Sequence, residues 1–417
     1  MDAAVSTKDA KPADVQIPDV YVSFPGTWIP IPGAPAECGA RLAADPGKDV
    51  PATKWVPCPS GRKGCQKLDV SWTQFKLFSL SVDPVRLVSG TPYFAYVRAY
   101  PKSDLSTGAY DGAIALVEAI DKAPIFAYAI PPTADPSIYC DGRLDVHSGG
   151  VALVLLASAL SKNPFMSTAP WSNLLDVTTT QFSIKDLGSL GAVQSMSAGA
   201  GAMFLATADP FNLAVYDIAK RTMTPVGNPQ RPPAEQPVAV QDGALAVASG
   251  TGGIWFVKPD ASYVRLVDST ANQILFNVAV DRANGENLVW REGDRPDFDM
   301  VNVHLWTAPY TTNPASVTRK KVTRLGDLRD GGGVLVANAG MALVRETLTS
   351  SRLVRLSDGW GWSIPAEPKE RMVDAVWVDD NEVWIVTGPE LGVTADYRTS
   401  VMRLRRSELG SPNVAPQ

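Results

Sequence analysis

The sequence has little of what marks membrane-spanning, nucleic-acid-binding or histidine-dependent proteins. Its longest apolar run, VALVLLASAL at residues 151–160, is about half of the ~20 residues that a membrane-spanning helix requires. The 417 residues include 2 histidines and 4 cysteines, and the formal net charge is -5. An acidic chain does not attract phosphate backbones, and the densest basic groups, at residues 319–321 and 403–406, are short. We therefore expect no nucleic-acid partner and no span within a bilayer.

Residues 1–19 have neither the basic segment nor the apolar segment of an export signal. Because they are rich in Ala, Asp, Lys and Pro and contain no aromatic residue, they cannot bury enough apolar surface to fold, and we predict a disordered tether. The segment resembles the spacer behind the lipid-bearing cysteine of bacterial surface lipoproteins. That resemblance implies an extracytoplasmic protein, periplasmic, outer-membrane-anchored or secreted, which meets a membrane only through a lipid anchor absent from this chain.

The dominant feature of the chain is a repeat, clearest between residues 192 and 268. The first copy contains AVQSMSA, GAMFLATA, NLAVYDIA and RTMTPVG, and the second contains QPVAVQ, ALAVASGT, GIWFVKPD and SYVRLVD. Short apolar or alternating runs separated by turn residues predict four antiparallel strands per unit. The turn between first and second strands recurs in six units, at residues 147–150, 198–201, 242–243, 283–286, 338–340 and 379–381. An earlier unit adds a seventh second strand, PYFAYVRAY.

These units resemble the blades of β-propeller proteins, whose repeats are typically ~40 to 50 residues long. We predict an all-β, seven-bladed propeller of four-stranded antiparallel blades at residues 77–409, followed by a tail at 410–417. Six blades would follow if the first unit belonged to the N-terminal module, and eight if that module were itself a blade. The aspartates at strand ends look most like the broad TolB or YVTN propeller type of bacterial extracellular proteins, a resemblance of architecture that carries no residue roles.

The last unit ends after SVMRLRR without a fourth strand, so another segment must close the ring. The module at residues 20–76 offers two candidates, Gly26–Pro32 and Thr53–Pro59. We prefer Gly26–Pro32, because Trp28 and Ile31 follow the aromatic-then-isoleucine order of residues 360–364 and because prolines suit an outermost strand.

The four cysteines, Cys38, Cys58, Cys65 and Cys140, lack the CxxC spacing of a zinc site and are predicted to form disulfides. Our preferred pairing joins Cys38 to Cys58 and Cys65 to Cys140. The alternative joins Cys58 to Cys65 across the turn PSGRKG and leaves Cys38 for Cys140.

Candidate chemistry is sparse. His147 falls in a predicted turn, and His304 falls in a predicted third strand without a partner carboxylate nearby in sequence, so it is expected to be a strand residue and not a catalytic one. In the polar stretch 291–300, Asp294, Asp297 and Asp299 offer oxygen ligands for a calcium ion, the one cofactor that we consider. The competing interpretation is a solvated loop in which these aspartates pair with Arg291 and Arg295.

Aromatic residues are the remaining candidates for recognition. The tryptophans in predicted strands are expected to pack between blades rather than to form a sugar platform; they are Trp290, Trp306, Trp360, Trp362, Trp377 and Trp384. The loop at residues 100–110 has no role in the repeat and is a candidate recognition loop. We expect a monomeric, non-catalytic propeller that binds a protein or glycan through its loop face. The alternative is a propeller enzyme, a glycan lyase, hydrolase or lactonase, that uses carboxylates and calcium.

Overall fold

The computed structural model describes the chain in separate ranges, which contain strands and many of the turns between them. The described residues are 28–29, 40–42, 55–68, 76–82, 93–101, 110–119, 124–130, 141–147, 150–156, 165–170, 183–186, 193–207, 213–220, 222–226, 234–248, 253–268, 273–282, 286–294, 300–328, 334–389 and 400–417. Among them, no helix is long and apolar enough to cross a membrane.

The described secondary structure consists of short β-strands and two single-turn 3-10 helices, at Pro314–Ser316 and Arg406–Glu408. The strands that precede the repeats and form the first unit are β1 (Trp28–Ile29), β2 (Ala40–Leu42), β3 (Trp55–Pro57), β4 (Cys65–Leu68), β5 (Lys76–Val82), β6 (Tyr93–Pro101), β7 (Tyr110–Ala119) and β8 (Pro124–Ile130). The next two units contain β9 (Asp141–His147), β10 (Gly150–Leu156), β11 (Phe165–Pro170), β12 (Ser183–Asp186), β13 (Val193–Gly199), β14 (Ala202–Thr207), β15 (Leu213–Asp217) and β16 (Thr222–Pro225).

The remaining strands continue the same order. They are β17 (Ala234–Val240), β18 (Gly243–Ala248), β19 (Gly253–Val257), β20 (Tyr263–Asp268), β21 (Gln273–Asp281), β22 (Asn287–Asp294), β23 (Met300–Pro309), β24 (Lys320–Leu328), β25 (Leu335–Asn338), β26 (Met341–Thr347), β27 (Ser350–Arg355), β28 (Gly361–Pro365), β29 (Glu370–Trp377), β30 (Glu382–Pro389) and β31 (Ser400–Arg405). The alternation of apolar and polar residues therefore produced strands in every predicted unit, including the run at 151–160, whose first part forms β10.

These strands form antiparallel sheets that follow the chain. The first sheet has the order β1-β2-β8-β7-β6-β5, the second to sixth sheets each contain four consecutive strands, and the seventh has the order β29-β30-β31-β4-β3. The innermost strands contact one another in a cycle, β5 with β9, then β13, β17, β21, β25 and β29, and β29 returns to β5. The protein is thus an all-β propeller, and the described sheets are consistent with the seven predicted blades.

The cores lie between the sheets and not within any one of them. Leu245 and Phe256 of the fourth sheet share one apolar cluster with Leu288 and Trp290 of the fifth. Similar clusters join the third sheet to the fourth, the fifth to the sixth, and the sixth to the seventh. The fourth, fifth and sixth sheets therefore each depend on both neighbours for the burial of their two faces.

Turns between first and second strands fall where the sequence predicts them. In two of them an alanine and a glycine both adopt positive φ, Ala200 (51°) with Gly201 (74°) and Ala339 (51°) with Gly340 (73°). Paired positive φ angles are typical of two-residue hairpins, whose twist matches that of the strands. Such turns also bond neighbouring sheets together: the Gly340 amide donates to Asp281 Oδ2 at 2.9 Å.

The ring is closed by an N-terminal strand, but the preferred segment was wrong. The fourth strand of the seventh sheet is β4, which pairs with β31 through Lys67 opposite Met402 and Cys65 opposite Leu404. Trp28–Ile29, inside Gly26–Pro32, pairs instead with β2 at the edge of the first sheet. The rival candidate reaches the correct sheet, because β3 pairs with β4 as its outermost strand. The physical reason is that β4 has no proline, so it can hydrogen-bond on both of its edges.

The preferred disulfide pairing was also wrong. Cys58 bonds to Cys65, with a Cα–Cα distance of 5.5 Å, as in the alternative pairing. The two cysteines flank the turn of the β3–β4 hairpin, so local hairpin geometry brings them together without any tertiary contact. Cys38 and Cys140 lie outside the described residues, and their pairing with each other stays a prediction.

Residues 410–417 lie along the outer edges of two sheets. Val414 forms an antiparallel bridge with Gly361 of β28 in the sixth sheet. Farther along, the backbone of Arg324 in the fifth sheet donates to the Gln417 carbonyl at 2.9 Å. The segment after the last blade therefore follows an ordered path that the sequence did not predict.

Candidate functional site

Three of the candidate residues meet on the face of the fifth sheet that faces the fourth sheet. Trp290 of β22 is directly opposite Trp306 of β23, and Glu292 is directly opposite His304. Residues opposite each other, and residues two apart on a strand, project to the same side. The two tryptophans, the glutamate and the histidine therefore share one surface.

The outer strand adds cations to this surface. Lys321 of β24 is opposite Trp306, and Arg324 is opposite His304. Arg319, which immediately precedes β24, reaches across the surface from its outer side. We call Trp290, Glu292, His304, Trp306, Arg319 and Lys321 the cleft cluster, because they line the junction between the fourth and fifth sheets.

Arg319 is the centre of the cleft cluster. Its guanidinium carbon lies 4.7 Å from the ring centroid of Trp306 and 5.6 Å from that of Trp290. Its Nη2 pairs with Glu292 Oε2, and its Nη1 donates to the backbone carbonyl of Asp268 at 3.3 Å. The Glu292 side chain is 0% exposed and that of Arg319 is 26% exposed, so the ion pair connects the interior to the surface. The arginine is therefore held in a fixed orientation.

The two tryptophans differ in their access to solvent. Their rings are nearly parallel, 11° apart, with centroids separated by 6.5 Å. Trp290 is fully buried, whereas Trp306 is half-buried. The exposed Lys321 ammonium lies 5.5 Å from the Trp306 centroid. Trp306 thus presents an aromatic surface flanked by two cations at the edge of the junction.

His304 is predominantly uncharged near neutral pH. Partial burial, followed by the nearby Lys321 cation, lowers the pKa of the His304 imidazole below its ordinary value, and Arg324 acts in the same direction. Its placement in a third strand confirms the sequence prediction. The register that brings it beside Glu292 could not be read from local sequence, because the pairing of β23 with its two neighbours contains four register shifts.

Three polar atoms buried in the cleft cluster have no hydrogen-bonding partner among the described residues. They are Trp290 Nε1, Glu292 Oε1 and Arg319 Nε. Unpaired buried donors and acceptors are costly, and they concentrate where a polar group from outside the chain can bind. These three atoms are therefore the clearest indication of a polar ligand in this part of the fold.

The predicted calcium ligands are only partly described. Asp294 is the last residue of β22, and its Oδ2 accepts a hydrogen bond of 3.4 Å from Asn302 Nδ2. Asp297 and Asp299 lie outside the described residues, so the calcium site stays a prediction. Arg291 is buried and bonds to Asn277 Oδ1 and to the Arg345 carbonyl, and the competing interpretation, in which these aspartates pair with Arg291 and Arg295, also stays a prediction.

The tryptophans largely pack between sheets as expected. Trp290, Trp362, Trp377 and Trp384 are buried. Trp306 is half-buried, and Trp360 lies just outside β28 with 40% of its surface exposed. Trp306 still packs against the apolar cluster between the fourth and fifth sheets, so Trp360 is the one of these six tryptophans that departs from the expectation.

A second group with the same composition lies in the seventh sheet. We call Trp55, Gln66, Glu382, Trp384 and Arg403 the closure cluster. Arg403 lies 4.3 Å from the Trp55 ring centroid and donates from Nε to Gln66 Oε1 at 2.7 Å. Glu382 accepts from Trp384 Nε1 at 2.6 Å, and its Oε1 is 3.9 Å from Arg403 Nη1. This cluster joins β3 and β4 to the last repeat and has a structural role.

Other buried or half-buried carboxylates also bind parts of the chain to one another. Glu346 pairs with Arg352 at 2.5 Å, and burial raises the pKa of the Glu346 carboxyl. Glu367 accepts from the Ser60 amide at 2.8 Å, which attaches the β3–β4 hairpin to the loop before β29. These groups stabilise contacts between elements. Sequence inspection missed Glu292 and Glu382, although each lies two residues from a tryptophan on a second strand, a spacing that places both side chains on one face.

No family model and no curated protein matches this chain. Among solved structures, it is similar to a catalytically inactive virginiamycin B lyase from Staphylococcus aureus with Quinupristin, with a TM-score of 0.52, 8% identity, and coverage of 82% of this chain and 99% of the lyase. It is also similar to YCF48 from Cyanidioschyzon merolae, with a TM-score of 0.46, 9% identity, and coverage of 86% and 99%. A third similar structure is that of the RRP9 WD40 repeats, with a TM-score of 0.47, 12% identity, and coverage of 84% and 100%. At this level of identity, the likeness to the lyase shows a β-propeller fold and no activity.

Proposed function

We propose that the protein is a non-catalytic, extracytoplasmic β-propeller that binds a protein or glycan, with the cleft cluster in contact with that ligand. The carrying observation is the half-buried Trp306, whose ring lies beside both Arg319 and the exposed Lys321. An aromatic face accepts the C–H groups of a sugar ring, and neighbouring cations bind carboxylate or sulfate groups. This combination favours an acidic glycan over a neutral one.

The unpaired atoms support the same ligand. Arg319, which reaches the surface and has an unpaired Nε, can donate to a sugar hydroxyl or carboxylate, whereas Trp290 and Glu292 are fully buried and act on such a ligand through Arg319. Arg319 is fixed by Glu292 and by the Asp268 carbonyl, so little conformational entropy is lost when a ligand binds. The cleft cluster is thus prepared for a small polyhydroxylated anion.

The cysteines and the tether support the proposed localisation. The Cys58–Cys65 disulfide is typical of an oxidising compartment. Together with the lipoprotein-like residues 1–19, it supports a protein that is secreted or attached to the outside of a bacterial membrane through a lipid anchor.

Titration with a galacturonate hexasaccharide, followed by tryptophan fluorescence, tests the proposed ligand. We expect binding that a neutral galactose hexasaccharide does not reproduce. Lys321→Ala should weaken it roughly tenfold, as expected for a lost charged hydrogen bond. Lys320→Ala is the matched control: Lys320 is the adjacent exposed lysine, and its Nζ donates to the Ser357 carbonyl. Equal affinities for the acidic and neutral sugars, or equal effects of the two lysine variants, would contradict the proposal.

An enzyme is the second candidate, and one observation favours it. His304 is kept uncharged beside Glu292, and an uncharged imidazole can accept a proton. A glycan lyase would place this base beside the sugar that the cleft cluster binds. The release of unsaturated sugar separates the two functions: a lyase should release it from the galacturonate hexasaccharide and lose this activity in His304→Gln, whereas a non-catalytic protein should release none in either form.

A further inference from the structure

Residues 410–417 follow the outer edges of the fifth and sixth sheets, and we call the strip of sheet edge that they cover the groove. Its floor is formed by the outer edge of β28 and by the residues around Thr323 in β24. An edge strand leaves unpaired backbone N–H and C=O groups, which an added extended segment can satisfy. The chain fills this edge with a segment that belongs to no blade.

The segment is held mainly through backbone groups. The Gly361 amide donates to the Val414 carbonyl at 2.9 Å, and the Val414 amide donates back to the Gly361 carbonyl at 2.9 Å. One blade farther on, Gln417 accepts from the Arg324 amide at 2.9 Å and donates to Thr323 Oγ1 at 3.1 Å. Such bonds recognise an extended backbone independently of most side chains.

A few side chains add selectivity. Asn413 Oδ1 accepts from the Ser363 amide at 3.0 Å, which satisfies one more group on the edge of β28. Trp362 Nε1 donates to the Gly410 carbonyl at 3.0 Å, so a buried tryptophan fixes where the segment enters. Gly359 has φ 78°, and a Cβ there would lie 3.0 Å from Pro416 Cβ, so the absent side chain makes room for a proline.

Most of the segment is exposed. Only Pro412 and Val414 are half-buried, and they alternate with exposed residues as expected for an extended segment on one edge. Because little apolar surface is buried, the attachment is weaker than that of a core strand, and another segment of similar pattern can compete for it.

We propose that this groove is a binding site for an extended, proline-containing peptide of a partner protein, and that residues 410–417 occupy it in cis. The peptide would place an asparagine beside Ser363 and a proline over Gly359. Opposite Gly361 it would place a residue other than proline, which has a backbone N–H to donate. Because residues 410–417 belong to the same chain as the groove, their local concentration there is in the millimolar range typical of short tethers. A partner peptide must therefore bind more tightly than this segment does or be present in excess.

The test uses the full chain with a weakened segment. A double variant, Asn413→Ala with Val414→Pro, removes the bond to Ser363 and the amide that donates to Gly361, at two residues outside the core. A fluorescent peptide with the sequence of residues 410–417 is then titrated and its anisotropy measured. We expect the variant to bind this peptide at least about tenfold more tightly than the unaltered chain does, because the cis competitor is weakened. A peptide carrying Val414→Pro should bind neither protein.

Equal affinity of the variant for the two peptides would overturn the proposal. Hydrogen exchange on the unaltered chain gives a second measurement that does not depend on the variant. The amides of Gly361, Ser363 and Arg324 should be protected, and exchange at all three as fast as in exposed loops would also overturn the proposal. Neither measurement involves the cleft cluster, so this proposal and the proposed glycan function can fail separately.

Discussion

The cleft cluster and the closure cluster use the same residue types for different purposes. In each, a buried glutamate and a tryptophan lie two residues apart on a second strand, and an arginine contacts both the glutamate and an aromatic ring. In the closure cluster, Arg403 binds Gln66, 337 residues away in sequence, and its side chain is 6% exposed. In the cleft cluster, Arg319 binds elements of its own and the adjacent sheet and is 26% exposed.

The difference shows which of the two clusters has a structural role. An arginine that connects the two ends of a ring and is hidden from solvent contributes mainly to stability. An arginine that has similar partners but reaches the surface beside a half-buried tryptophan can contact a ligand. Variants of the two clusters should therefore separate stability from binding.

Arg403→Ala is predicted to have the largest effect on folding. It leaves Gln66 and the buried Glu382 with fewer partners and removes the cation above Trp55, so we expect a loss of about 3–5 kcal/mol in the free energy of unfolding. Arg405→Ala is the matched control, because Arg405 Nε donates to the same glutamate at 3.0 Å but its side chain is 40% exposed. That variant should lose less than about 1 kcal/mol. Urea denaturation measures both, and equal losses would contradict the role of Arg403.

Loss of the Cys58–Cys65 disulfide should have the next largest effect. The closed loop is short, so the Cys58→Ala, Cys65→Ala double variant should lose about 2–3 kcal/mol of stability. The hairpin carries β4, and its release should also weaken the pairing of β4 with β31. Thermal unfolding with and without reductant measures this. An unchanged melting temperature in the double variant would show that the hairpin is held by Ser60–Glu367 and β4 pairing alone.

Arg319→Ala should cost less stability than Arg403→Ala. It removes the cation that pairs with the buried Glu292, but solvent reaches part of the site, so we expect a loss of about 2 kcal/mol. The same variant should abolish binding of acidic sugar, which Arg403→Ala should leave intact in the folded fraction. Calorimetric titration below the melting temperature of each variant tests this, and retained binding by Arg319→Ala would refute a ligand role for the cleft cluster.

The smallest expected effect concerns pH. The folded-state pKa of His304 is lowered, so the unfolded chain takes up a proton near the ordinary histidine pKa of about 6.5 while the folded chain does not. Stability should therefore fall as the pH drops from 8 through this region. The difference between His304→Gln and the unaltered chain isolates the contribution of the histidine. The carboxyls of Glu286 and Glu346 are present in both proteins, and their raised pKa values change stability at lower pH and in the opposite direction. Parallel stability curves for the two proteins would contradict the direction of the shift.

Local patterns predicted the blades because each strand and its turn are short-range features. The alternation in GAMFLATA and EVWIVTG and the turn residues at 338–340 required no knowledge of distant partners. The closing strand could not be predicted in this way. CQKL at residues 65–68 is short and only partly apolar, and its selection over Gly26–Pro32 depends on hydrogen bonds to β31 at the other end of the chain.

The candidate site was also predicted only in part: most of its residues could be identified in the sequence, but their convergence could not. Trp290, Trp306 and His304 were visible as unusual residues on predicted strands, and residues 319–321 as a basic group. Their convergence depends on the register of β22, β23 and β24, which contains several β-bulges. A bulge changes which residues share a face, so strand alternation alone could not assign Arg319 to Glu292.

The most direct test compares Trp306→Ala with Trp55→Ala. Both tryptophans are half-buried, contact a buried second-strand tryptophan and lie under an arginine. Each variant's melting temperature and its affinity for the galacturonate hexasaccharide would be measured. We predict that Trp306→Ala loses binding with the smaller fall in melting temperature, whereas Trp55→Ala has the larger fall and binds normally while folded. If both variants lose stability equally and bind the sugar equally, the two clusters have the same role and the proposed binding site is wrong.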